Sequence, residues 1–249
     1  MYFFIYSFLG WICEMIYCSI FSKKITNRGF LSGPYCPIYG IGGLIIAIFL
    51  EPFASNPIVI FLLAFLFTTL LEYVTSFLME KAFNAKWWDY SKRKCNINGR
   101  VCLLNSILFG IGGLVITYFV HPYVITLVNI IPLNILNPII ITLLAILLID
   151  FIGTLNTIFR FKERLKTIKE IVESIEHAKG NLDVTNALEA VKDNIIAKTT
   201  VFNKRLINSF PTLTFIKLSS IFEDLKVDLS NKQQEFKVLK KQLKGKKKK

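Results

Sequence analysis

The chain has 249 residues, a hydrophobic fraction of 53%, a mean hydropathy of +0.50 and a formal net charge of +13. The apolar share exceeds the roughly 45 to 50% of soluble globular chains, and it is uneven. Met1 to Phe159 holds nine basic and six acidic residues, whereas Arg160 to Lys249 holds 21 and 11, which excludes one uniform soluble domain.

Apolar stretches near the roughly 20 residues a membrane helix needs occur at Tyr2 to Ser22, Phe30 to Leu50, Pro57 to Met79, Val101 to Val120 and about Asn134 to Phe159. The first lacks a basic n-region and a small-residue cleavage pattern, so it reads as a retained span. The expected fold is all-α: a five-span transmembrane bundle over 1–159, followed by a helical cytoplasmic C-terminal tail over 160–249. Lys23, Lys24 and Arg28 mark the first loop as cytoplasmic. Lys81, Lys86, Lys92, Arg93, Lys94 and Arg100 mark the third, while Glu51 to Asn56 and His121 to Leu133 carry no Lys or Arg. The orientation is therefore N-outside, C-inside. His121-Pro122 reads as the outer end of the fourth span.

The second stretch, Gly33-Pro34-Tyr35-Cys36-Pro37-Ile38-Tyr39-Gly40, contains two prolines that interrupt a helix and release backbone carbonyls. At membrane depth such groups must face protein or water. A broken second span near 33–40, directing carbonyls toward acidic residues, is expected. Tyr39-Gly40-Ile41-Gly42-Gly43-Leu44 is echoed by Phe109-Gly110-Ile111-Gly112-Gly113-Leu114, which fits a parallel duplication of a two-span unit. These glycines suit close helix packing. No phosphate-binding G-x-x-x-x-G-K-[ST] motif occurs, so use of ATP requires a separate subunit.

Three acids interrupt the spans. Glu14 and Glu72 each lie nine positions before a basic residue, Lys23 and Lys81, and Asp150 lies ten before Arg160. At 1.5 Å per residue all three sit about 13 to 15 Å inside the basic boundary. Insertion of a charge there costs at least about 2.5 to 3.5 kcal/mol, so the three are expected to line a substrate or ion pathway with Cys36, Pro37 and Tyr39, or to act as protonated packing contacts. Asn27, Arg28, Trp88, Asp89 and Arg100 would form its cytoplasmic mouth. No metal set is legible among the five cysteines, no cofactor is implied, and no nucleophile and base share a motif, so no enzyme is expected.

The tail repeats apolar residues at 3-and-4 spacing: Phe161, Leu165, Ile168, Val172 and Ile175, then Leu188, Val191 and Ile195, then Phe215, Leu218, Phe222, Leu225 and Leu229. Such coiled-coil-like stripes need cover, from one another or from a second copy, so a homo-oligomer through the tail helices is one expected partner. The polybasic end, Lys240 to Lys249, suits anionic lipid. It lacks the aromatic interleaving of a nucleic-acid surface, so no nucleic acid is expected.

Gly10-Trp11 with Glu14, Asn27-Arg28-Gly29-Phe30, Gly33-Pro34 with Cys36-Pro37-Ile38-Tyr39-Gly40, Glu72-Tyr73, Trp87-Trp88-Asp89-Tyr90 and Asn98-Gly99-Arg100 together resemble the CmpB family of bacterial ABC-transporter type IV membrane proteins. The resemblance covers about Tyr2 to Asp150. It implies a multi-pass protein of the bacterial cytoplasmic membrane, a permease-type transport component energised by a separate ATPase subunit. The alternative is a non-transporting membrane anchor or sensor that displays the tail.

Overall fold

The computed structural model describes residues 1–22, 29–177 and 214–215. The chain divides into a compact unit covering Met1–Asn156 and a second that begins at Thr157. Glu14, Glu72 and Asp150 lie in the first. Asn27, Arg28, most of the tail stripes and the polybasic end lie outside the described residues.

Helix α1 (Tyr2–Ser22) is followed by an extended segment and then by α2 (Pro37–Leu44), which passes into a π turn, Ile45–Phe49. Pro34 and Pro37 explain the late start, because Pro37 supplies no backbone donor and occupies the first helical position. The expected second span over 30–50 is thus helical only over Pro37–Phe49, about 20 Å of rise against a 30 Å core. Among the described residues four helices are long and apolar enough to cross a bilayer: Tyr2–Ile20, Pro57–Phe83, Leu103–Asn129 and Leu133–Glu163. The expected set of five becomes four full-length helices and one short one.

Helix α3 (Pro57–Phe83) starts where Asn56 Oδ1 accepts the amides of Ile58 and Val59 at 3.0 and 3.3 Å, and ends at Asn84, in the left-handed region at φ 52°. The connection to the next helix contains the short strands β1 (Ala85–Lys86), β2 (Asn96–Ile97) and β3 (Val101–Cys102). β2 and β3 pair antiparallel around Asn98-Gly99, whose φ values of 53° and 69° suit the mirror-image turn that hairpins favour.

Helix α4 (Leu103–Val115) passes through a second π turn, Ile116–Val120, into α5 (His121–Asn129). The expected helix end at His121-Pro122 is therefore overturned. Pro122 falls in the first turn of α5, where its missing N–H costs little, and the chain stays helical to Asn129. Helix α6 (Leu133–His177) carries the last apolar stretch and extends through the first of the tail stripes, Phe161 to Ile175.

The duplication extends well beyond the glycine motif. α1 packs on α2 and α3 on α4. A side chain at Gly40 would strike Phe3, and one at Gly43 would strike Tyr6, eleven and eight residues before Glu14. A side chain at Gly110 would strike Phe61, and one at Gly113 would strike Ala64, again eleven and eight residues before Glu72. The halves also exchange contacts. Tyr2, Ile5 and Tyr6 of α1 cluster with Ile116 and Val120 of the second π turn, and the corresponding Ile60, Leu63 and Ala64 of α3 cluster with Ile46 and Leu50 at the first. The two helix pairs are thus related by a pseudo-two-fold axis running along the bundle.

Candidate functional site

The pseudo-two-fold relation places Glu14 and Glu72 at matching positions. Each is held by a tyrosine. Tyr39 Oη donates to Glu14 Oε2 at 2.7 Å, and Tyr90 Oη donates to Glu72 Oε1 at 3.3 Å. Cys18 Sγ, one turn along α1, donates to Glu14 Oε1 at 3.5 Å. The tyrosines are not symmetry mates, because the position matching Tyr39 is Phe109 and Tyr90 comes from the connection after α3.

Glu72 is 6% exposed, and its Oε2 is buried without a hydrogen-bond partner among the described residues. Asn105 lies close enough to act on the carboxyl, yet does not meet that oxygen at bonding geometry. A buried acceptor left open costs about 1 to 3 kcal/mol, more when charged, so this oxygen is poised to take a proton or a cationic group. Outside the spans, burial pushes the Tyr90 phenol well above its ordinary range, and the Glu72 and Glu14 carboxylates add to the shift. Tyr90 therefore remains a donor throughout the physiological range.

Asp150 is engaged elsewhere. Its oxygens accept from the backbone amides of Ser32 at 3.1 Å and Gly33 at 2.8 Å, from Tyr35 Oη at 2.7 Å and from Thr154 Oγ1 at 3.3 Å. The broken element thus offers the acid N–H and O–H donors, whereas carbonyls were expected. Its other end is tied to α1 by a bond from the Cys36 amide to the Ser7 carbonyl at 2.9 Å. Cys36 is buried, Pro37 opens α2, and Tyr39 bonds an acid through its side chain.

Of the expected mouth residues, Trp88, Asp89 and Arg100 share the connection between α3 and α4. Arg100 Nη2 pairs with Glu80 at 2.8 Å, its guanidinium lies 5.5 Å from the ring centres of Tyr73 and Phe77, and its carbonyl accepts from Trp88 Nε1 at 2.9 Å. Arg100 thus fastens the connection onto α3. Asp89 is exposed and accepts from the Ser91 amide at 2.8 Å and from Ser91 Oγ at 2.5 Å, which holds its carboxyl below the usual range. Phe30 and Trp87 bring the two basic-side connections together, with ring centres 5.1 Å apart, and Phe83 packs on both.

Sequence reasoning missed Tyr35 and Tyr90, the donors to two of the acids. The only signals were a tyrosine between the two prolines and one closing the Trp-Trp-Asp-Tyr run. Neither spacing points to an acid on a distant helix.

Four apolar helices of membrane-spanning length and a short broken one mark an α-helical membrane protein. Residues 1–155 match the family described as Putative ABC-transporter type IV (CmpB), and the chain belongs to that family. No curated protein and no solved structure matches the chain.

Proposed function

We propose that the protein is a permease-type transport component whose polar pathway runs past the Glu14–Glu72 pair, with Tyr39 and Tyr90 setting the orientation of the carboxyls. The observation that carries this reading is the placement of the two acids at matching positions of duplicated helix pairs, one of them with an unfilled buried oxygen. The α2 element, completed by the extended segment before it, serves as the fifth crossing. The basic connections then face the cytoplasm, giving N-outside, C-inside in a bacterial cytoplasmic membrane. Energy comes from a separate ATPase subunit, as the family description suggests. Asp150 acts as a clamp on the broken element.

The test is flux in vesicles reconstituted from native membranes together with the ATPase partner. Glu72→Gln should abolish flux while membrane abundance stays at the wild-type level. Wild-type flux in this variant would remove the pathway role.

One observation favours a second reading, that of an anchor or sensor: α6 continues without a break from the last apolar stretch to His177, so the membrane half is joined to the tail by helix. On that reading, truncation after His177 destroys activity while the membrane half still accumulates. Full activity in the truncated protein would reject it.

A further inference from the structure

The pseudo-two-fold relation makes a specific demand that the structure meets on one side only. Where α2 meets α3, a side chain at Gly42 would touch Leu71 at 3.6 Å, and Leu71 immediately precedes Glu72. The matching contact lies between Gly112 of α4 and Cys13 of α1, which immediately precedes Glu14. There, no described atom lies within 4 Å of a side chain placed at Gly112, and Cys13 is exposed. The flanking residues agree. Leu108 and Val115 of α4 are 50% and 45% exposed, whereas their counterparts Ile38 and Ile45 are partly covered.

A glycine inside a helix costs about 0.8 to 1 kcal/mol relative to alanine, and it is compensated where it allows close approach. Gly40, Gly43, Gly110 and Gly113 have such a neighbour; Gly112 has none among the described residues. The other end of this seam is already closed. Tyr6 Oη and His121 Nδ1 are hydrogen bonded at 2.6 Å, and α1 packs there against the second π turn. π turns concentrate at functional sites, and this one separates the closed end of the seam from the open end.

We infer that the α1–α4 seam is a gate to the carboxylate pair: α4 swings about the Ile116–Val120 turn, bringing Gly112 onto Cys13 as Gly42 already lies on Leu71. Cys13, on one side of this seam, immediately precedes Glu14, the less buried of the two acids. The gate rests on the pathway reading only for what it admits; the motion can be tested without any substrate.

The experiment keeps Cys13, replaces Cys18, Cys36, Cys95 and Cys102 with serine, introduces Gly112→Cys in the full chain, and oxidises native membranes. A control carries Gly42→Cys with Leu71→Cys, and Cys13→Ser, at the closed seam. Cleavage in the exposed 51–56 connection then separates the fragments of either pair. The expected result is a crosslink within one chain for both pairs. Crosslinking of the control alone would overturn the gate. So would a disulfide from Cys13 to the introduced thiol found only between two chains, which would make the seam an interface between copies. If Gly112→Cys fails to accumulate, Tyr17→Cys with Leu108→Cys, one turn nearer the basic side on each helix, reads the same closure by the same outcomes. Crosslinking together with wild-type flux in Glu72→Gln would leave the gate standing and remove the pathway.

Discussion

Glu14, Glu72 and Asp150 have the same residue chemistry and nearly the same sequence depth, yet they do different work. Asp150 has donors on both oxygens and is satisfied as an ion. Charge-assisted bonds of this kind contribute about 1.5 to 3 kcal/mol each, enough to offset the cost of placing a carboxylate there. Glu72 has one filled oxygen and one open, so it is the acid with capacity to spare. The glycines divide in the same way. Gly40→Leu drives a branched side chain into Ser7 and Phe3 and should lower stability by about 1 to 3 kcal/mol, read as a lower midpoint of thermal unfolding in detergent. Gly112→Ala meets no described atom and should leave the midpoint unchanged or raise it, by up to about 1 kcal/mol of helix propensity. Equal losses in the two variants would refute the assigned register. What the sequence offered for the acids was their distance along each helix from the nearest basic residue. Their division into a pair and a clamp was not legible there, because it depends on Tyr35 and Tyr90, which reach the acids across the fold.

Among the elements, the connection between α3 and α4 owes its shape to short-range chemistry. Asn98-Gly99 makes the hairpin turn, and the Gly99 carbonyl accepts from the Tyr90 amide at 2.7 Å, the residue whose phenol reaches Glu72. A hairpin built by local rules thereby positions a donor inside the bundle. Asp89 stabilises the same connection through Ser91. Its folded pKa is depressed, so its contribution is present above the unfolded value of about 3.9 and is lost as the pH falls through the folded value. Asp89→Asn should remove that part of the acid sensitivity, measured as the protection of the 91–95 turn from protease between about pH 2 and 5. An unchanged profile would show that Asp89 does no such work. The Asn-Gly turn could be read directly from sequence. The short α2 could be read only in part: the prolines announce a break, but its extent depends on Asp150 and the Ser7 carbonyl holding the extended segment in place.

For the molecule as a whole, the six-residue echo at Gly40 and Gly110 is the visible remnant of a duplication that governs the packing of α1 to α4. Composition reported the membrane, and the basic loops reported an orientation. The pseudo-two-fold axis itself emerged only from which side chain meets which glycine. The clamp at Asp150 has a further consequence, in the order of biogenesis. Ser32 and its acceptor are 118 residues apart in the chain. At about 5 to 20 residues per second, roughly 6 to 24 s of synthesis separate them. During that interval the amides of Ser32 and Gly33 have no Asp150, and the segment they belong to must be kept by water, lipid headgroups or an insertase. The last membrane helix therefore completes the first loop. A ribosome that stalls short of residue 150 leaves a nascent protein whose earliest turn is still unfastened.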